Sequence, residues 1–230
     1  MIYMLIGHVL GDFYLQSNKL AKEKETSLQY VMIHNILYGF GLFIGFLLIL
    51  CFRRITLFDF YCFVMLWILH GVIDTVKYFL GNTNTLTKRW IFIIDQIIHI
   101  MSIVIVTQIF NMTTTHATLN FVLMMLLVGK PANVLLLLLI HRYDPRHYAD
   151  TPVNSVKGAG MYIGMSERLL FIIFLATNNF TGIPVVLTIK AFARYKRIVD
   201  EPIFAEYFAI GTFTSLLITL ITYYGIVITL

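Results

Sequence analysis

Charge is what this chain has least of: only 13% of its 230 residues are Asp, Glu, Lys or Arg, while 59% are hydrophobic. A soluble domain carries about 25% charged residues, so the polar surface is too small to solvate a globule and the composition is that of a polytopic membrane protein. The apolar runs also lack the period-two alternation of a membrane β-barrel, which leaves helices as the spanning form. Familiar machinery is missing too: there is no HExxH, no GxSxG elbow and no GxxxxGKS/T phosphate loop, so the common zinc-protease, serine-hydrolase and nucleotide-driven mechanisms have no support. No repeat or low-complexity tract occurs. The two cysteines, Cys51 and Cys62, leave two readings open: burial as small apolar residues, or a disulfide in an oxidising exterior. Met1 to Asn18 has neither a basic n-region nor a small-residue cleavage site, and is expected to be a retained helix.

What is present is long apolar sequence. Stretches free of charge run from Ser27 to Phe52 and from Gln96 to Gly129, each longer than the roughly 20 residues of a span. Hydropathy and loop punctuation predict an all-α transmembrane bundle of about seven to eight spans, near Ile2 to Asn18, Leu28 to Phe52, Leu57 to Leu80, Trp90 to Phe110, Leu119 to Ile140, Ala159 to Thr177, Ile183 to Tyr195 and Phe204 to Leu230. The first and seventh are short. The fifth is interrupted by Gly129-Lys130-Pro131-Ala132-Asn133, where proline removes a backbone donor and kinks the helix. The chain reads as one integral-membrane domain, 1–230, with His/Asp-bearing helices in 1–111 and a Glu/Arg/Lys set in 112–230.

Basic residues set the expected orientation. The odd-numbered loops carry Lys19, Lys22, Lys24, Lys88, Arg89, Arg142, Arg146, Lys157, Arg194, Lys196 and Arg197, while the even-numbered ones carry Arg53 and Arg54. This bias predicts cytoplasmic odd loops and both termini outside. It also accounts for the net charge of +5 without a nucleic-acid partner.

Against this apolar background, three His/Asp pairs stand out: His8 with Asp12, His70 with Asp74, and Asp95 with His99, each four residues apart. On a helix, positions i and i+4 share a face, so each pair aims two metal-ligand side chains one way. An ionisable group at the centre of a span costs about 2.5–3.5 kcal/mol on insertion scales and usually marks a site. His34, six residues into the second span, falls at a depth similar to the three pairs. His8, Asp12, His34, His70, Asp74, Asp95 and His99 are therefore expected to converge on one cytoplasm-facing slab. Imidazole and carboxylate suit first-row divalent ions, zinc foremost, and the surplus of ligands allows one or two ions or an orienting outer shell. The alternatives are His–Asp hydrogen bonds that merely hold helices together, or a proton or ion path.

The stretches GHVLGDFYLQS, VMIHN, HGVIDTVK and DQIIH, followed by GAGMYIGMSERLLF, KAFARYKR and AEYFAIGT, resemble an uncharacterised family of bacterial integral-membrane proteins known as a domain of unknown function. The resemblance extends over nearly the whole chain and implies a bacterial plasma-membrane location and a shared His/Asp centre, with no agreed activity. A weaker similarity is to membrane-bound metal-dependent hydrolases. It rests on residue type and spacing alone.

In the C-terminal half, Lys130, Glu167, Arg168, Lys190, Arg194 and Glu206 form a second polar set. Lys130, Arg168, Lys190 and Arg194 suit an anionic head group, or else Glu167 pairs with Lys190 or Arg194 between helices. His116, His141 and His147 fall in loops or at helix ends, and Arg142 to Lys157 reads as a turn-rich connector. The functional expectation is a membrane-embedded metal-dependent hydrolase acting on a lipid-linked or amphipathic substrate, with Asp12 as base and Gln16 and Glu167 as further catalytic candidates. A cation transporter or channel using the same slab, or a non-catalytic scaffold or sensor, are the alternatives.

Overall fold

The computed structural model describes residues 1–80, 85–112, 116–143 and 158–229. The chain divides into two compact units, Met1–Leu123 and Met124–Leu230. The first holds α1 (Ile2–Val9), α2 (Asn18–Glu23), α3 (Leu28–Leu48), α4 (Leu57–Leu80) and α5 (Thr85–Ile109); α6 (Ala117–Val128) follows. Then come α7 (Lys130–Ile140), α8 (Ala159–Ala176), α9 (Gly182–Phe192), α10 (Tyr195–Asp200) and α11 (Pro202–Thr229). No strand occurs among the described residues.

Six stretches of helix among these residues are long and apolar enough to cross a membrane: Leu28–Cys51, Leu57–Leu80, Arg89–Ile109, Ala117–Tyr143, Ala159–Ala176 and Pro202–Ile228. The protein is a polytopic helical membrane protein. Its polarity is inverted relative to a soluble one: Ile36, Ile68 and Phe79 are 65%, 59% and 71% exposed, whereas His34 and His70 are 0% and 1% exposed.

Six is fewer than the expected seven to eight, and the two short segments account for the difference. The first helical run, α1 with its continuation, stops at Tyr14, and the Ser17 hydroxyl then accepts from the Leu20 N–H at 3.1 Å to start α2 in a new direction. The seventh, α9, has 11 residues, about 17 Å of helix against an apolar thickness near 30 Å. The fifth span is broken as its sequence requires: α6 ends at Val128, Gly129 takes φ −76° and ψ −117°, and Pro131 lies in the first turn of α7. The connector from Asp144 to Lys157, with His147, lies outside the described residues.

Glycines fix how the first unit packs. Gly7 and Gly11 on the first helical run face Gly41 and Gly45 on α3, each pair four residues apart. A Cβ on Gly41 would lie 2.5 Å from the Gly11 nitrogen, and one on Gly45 would run into the Tyr3 carbonyl oxygen and, at 3.0 Å, the Gly7 Cα. The two antiparallel helices therefore touch backbone to backbone, the small-xxx-small mode of membrane helix packing. Between α3 and α4 the Trp67 Nε1–H donates to the Asn35 carbonyl at 2.8 Å. The α3–α4 turn is locked by Asp59, which accepts from both Arg53 terminal nitrogens at 2.6 and 2.7 Å and from the Thr56 N–H at 2.8 Å. Donating to the Asp59 carboxylate raises the Arg53 pKa above its ordinary value. Both cysteines are free thiols, Cys62 buried and Cys51 exposed.

In the second unit α11 packs on α7, α8 and α10, and α8 packs on α9.

Gly45→Val is expected to destabilise the protein by about 1–3 kcal/mol through overpacking of the seam. Gly160→Ala and Gly225→Ala, where nothing lies within 4 Å of the added carbon, are the controls. Denaturant titration in detergent reads the difference.

Candidate metal centre

Each of four helices brings one imidazole to a common place: His8 from α1, His34 from α3, His70 from α4 and His99 from α5, all buried. The glycine seam lays α1 against α3, so its end reaches into the bundle. There the backbone opens into a π-helical turn, Leu10–Tyr14, closed by the Leu15 N–H donating to the Leu10 carbonyl at 2.9 Å. A single π turn changes the phase of the residues it contains and recurs at functional sites. Asp12 sits in it and lies closer to His34 Nε2, at 3.1 Å, than to its i−4 neighbour His8, whose Nε2 is 4.0 Å away.

All seven expected ligand residues are brought together. His34 Nε2 and His70 Nε2 are 3.3 Å apart. Asp12 Oδ1 is 3.1 and 3.5 Å from these two nitrogens, and Asp74 Oδ2 is 3.3 and 3.6 Å from them. His99 Nε2 lies 3.6 Å from Asp74 Oδ1 and 3.5 Å from Asp95 Oδ1. Three groups have the spacing to hold an ion: His8, Asp12 and His70; His34, His70 and Asp74; Asp74, Asp95 and His99. His8 is the outlying member.

Several groups beside the centre were not singled out in the sequence. Gln96 Nε2 donates to Asp12 Oδ2 at 3.0 Å, and Gln16 is buried next to the π turn. The Tyr38 ring stacks on His70 at 3.4 Å and 3° and fixes its plane. Lys24 Nζ is 3.2 Å from Asp74 Oδ2, and Lys77 Nζ is 2.7 Å from Asp95 Oδ2. Spacing carried part of this signal: Tyr38 is four residues after His34 and Lys77 three after Asp74, so each shares a helix face with a ligand. α5 begins at Thr85, ahead of its apolar span Arg89–Ile109, and Asp95 and His99 lie six and ten residues into that span, close to the depth that a start at Trp90 implies.

The donor set fits a divalent ion. Nε2 of His99 and both ring nitrogens of His8 are buried without a hydrogen bond. Such orphans are rare unless an ion or water completes them. Two Nε2 atoms 3.3 Å apart cannot both donate, but both can offer a lone pair to one cation.

The second polar set has a different character. Arg168 is fully buried; its Nε–H donates to the Val128 carbonyl at 2.7 Å, Nη1 donates to Ser215 Oγ at 3.2 Å, and Nη2 donates to Asn133 Oδ1. Val128 ends α6 and Asn133 lies in the first turn of α7, so the guanidinium bridges the helix break and ties it to α11. Lys190 Nζ lies 2.6 Å from Glu167 Oε2, the ion pair that was one of the two readings of this set. Arg194 lies past the end of α9 and caps α10, so it does not share a helix with Lys190. Lys130 opens α7 at the break.

Imidazoles and carboxylates from apolar helices, buried around one place, define a polytopic α-helical membrane protein with an internal His/Asp centre. The chain belongs to the protein family of unknown function DUF3307, whose model matches residues 1–128. No curated protein and no solved structure matches it. The matched region contains every His/Asp motif, whereas GAGMYIGMSERLLF, KAFARYKR and AEYFAIGT lie beyond it. The likeness expected over nearly the whole chain thus rests on its first 128 residues, and no relative supports one to metal-dependent hydrolases.

Arg168→Met is expected to lower stability by on the order of 2–4 kcal/mol, since it leaves a buried carbonyl and amide without their donor. Arg168→Lys, which lacks the planar fork, recovers only part of this. Thermal unfolding in detergent measures both, and bound-metal content stays unchanged.

Proposed function

We propose that this protein is a membrane-embedded metal-dependent hydrolase acting on an amphipathic or lipid-linked substrate. One observation carries the reading: the three separations among His34 Nε2, His70 Nε2 and Asp74 Oδ2 lie between 3.3 and 3.6 Å, with Asp12 Oδ1 on the same two nitrogens at 3.1 and 3.5 Å. A tetrahedral ion with bonds of about 2.0–2.1 Å sets its ligands roughly 3.3–3.4 Å apart. Zinc is the first candidate for such a nitrogen and oxygen set. His34, His70 and Asp74 supply the three protein ligands usual in a catalytic zinc site, and Asp12 stands beside the fourth position. A divalent ion held there would supply Lewis acidity and make water at the centre easier to deprotonate.

The chain's own groups then divide the work. Gln96, donating to Asp12 Oδ2 at 3.0 Å, keeps the carboxylate turned toward the centre. Asp12 takes the proton of the attacking water and returns it to the leaving group, while the water oxygen bonds to the electrophilic atom. The charge bias favours a reading in which the Lys24 and Lys77 edge faces the cytoplasm from a bacterial plasma membrane. Surrounding membrane helices restrict the centre to substrates that partition into that layer. A second reading, a cation transporter, draws on the position of His99 near the middle of the 25-residue α5, since transporters bind their ions near the midplane.

Protein purified in detergent without chelator is expected to carry at least one divalent ion per chain by elemental analysis. His34→Ala and His70→Ala should lose the ion and all hydrolysis of lipid extracts together. Asp12→Asn should keep the ion and lose turnover by about 10²-fold or more. Ion-dependent cation flux into proteoliposomes, with no substrate bond cleaved, would replace the hydrolase by the transporter.

A further inference from the structure

We propose that the centre is binuclear, with Asp95 and His99 holding a second divalent ion and Asp74 bridging the two. The inference rests on the metal reading above and adds a site to it. The two oxygens of Asp74 face different ligand groups: Oδ2 is 3.3 Å from His34 and 3.6 Å from His70, while Oδ1 is 3.6 Å from His99. Asp95 Oδ1, 3.5 Å from the same His99 nitrogen, completes a second group with the spacings of the first.

Two further observations point to a cation at that place. His99 Nε2 is buried, is aimed between the Asp74 and Asp95 carboxylates, and makes no hydrogen bond. The His70 and His99 rings stack with centroids 4.3 Å apart, yet their Nε2 atoms lie nearest different oxygens of Asp74, Oδ2 and Oδ1, each at 3.6 Å. Paired metal sites place their ions about 3.5–4 Å apart.

Two lysines explain why the two ions would not bind alike. Lys24 Nζ reaches Asp74 Oδ2 and Lys77 Nζ reaches Asp95 Oδ2, at 3.2 and 2.7 Å. Asp12, Asp74 and Asp95 against these two ammonium groups leave one negative charge, which one divalent ion already overcompensates. The second ion must compete with Lys77 for Asp95 in a buried site, where charge repulsion is weakly screened. Loading is therefore sequential, and the Asp95/His99 site is the weaker.

The test is zinc titration of the purified full-length chain in detergent, with bound metal measured by elemental analysis at each free concentration. Wild type is expected to saturate at two ions per chain in two steps. Asp95→Asn and His99→Ala should each saturate at one, and Lys77→Met should tighten the second step about tenfold or more while leaving the first in place. A gain of affinity in Lys77→Met cannot come from misfolding, which keeps the test valid if the other variants fold poorly. Saturation of wild type at one ion overturns the binuclear centre and spares the hydrolase reading, whereas no bound ion at all sinks both. Two ions retained in Asp95→Asn and His99→Ala, or an unchanged second step in Lys77→Met, removes the second ion from Asp95 and His99.

Discussion

An ionisable side chain inside an apolar bundle has no water to turn to, and the first unit is organised around that constraint. Seven His and Asp side chains from α1, its π turn, α3, α4 and α5 are each other's surroundings. Moving any one of these helices by a few ångströms would leave a carboxylate or imidazole facing hydrocarbon, at a cost of several kcal/mol. The cluster therefore acts as a lock on the helix arrangement as well as a site. Lys24 and Lys77 belong to the same balance, because three carboxylates in one buried place need compensating charge.

What permits the convergence is small-residue packing elsewhere on the same helices. The Gly7/Gly11 and Gly41/Gly45 seam brings α1 against the α3 backbone, and this close approach carries His8 and Asp12 to His34. The π turn then swings Asp12 from the His8 face toward His34 and His70. A short first helix suffices because it has only to reach the centre. It need not cross the membrane.

The second unit meets the same constraint by another route. Its fifth span is broken at Gly129, which frees backbone carbonyls in an apolar setting. Arg168 meets one of them, donating to the Val128 carbonyl on one side of the break, and donates to the Asn133 side-chain Oδ1 on the other. Glu167, the next residue, is paired with Lys190. Polar residues whose sequence left open an anion site or an interhelical ion pair thus have structural work within their own unit. The anion reading had no way to see this, because nothing in the spacing of Arg168 and Val128 reveals a contact across 40 residues.

The sequence by itself determined the class of fold, most span boundaries, the broken fifth helix and the membership of the His/Asp cluster. These follow from local quantities: hydropathy over a span length, the backbone demands of glycine and proline, and the shared face of residues four apart. Even the Gly7/Gly11 and Gly41/Gly45 spacings were open to view as helix-packing motifs, although only the structure shows which helix each pair meets. Tertiary structure alone decided that Asp12 turns to His34, that Gln96 supports it, that Tyr38 stacks on His70, and that Asp74 faces two ligand groups at once. The reason is physical. A helix fixes the direction of a side chain relative to its own axis, but which partner it meets depends on the rotation and approach of a second helix, set by contacts far away in sequence.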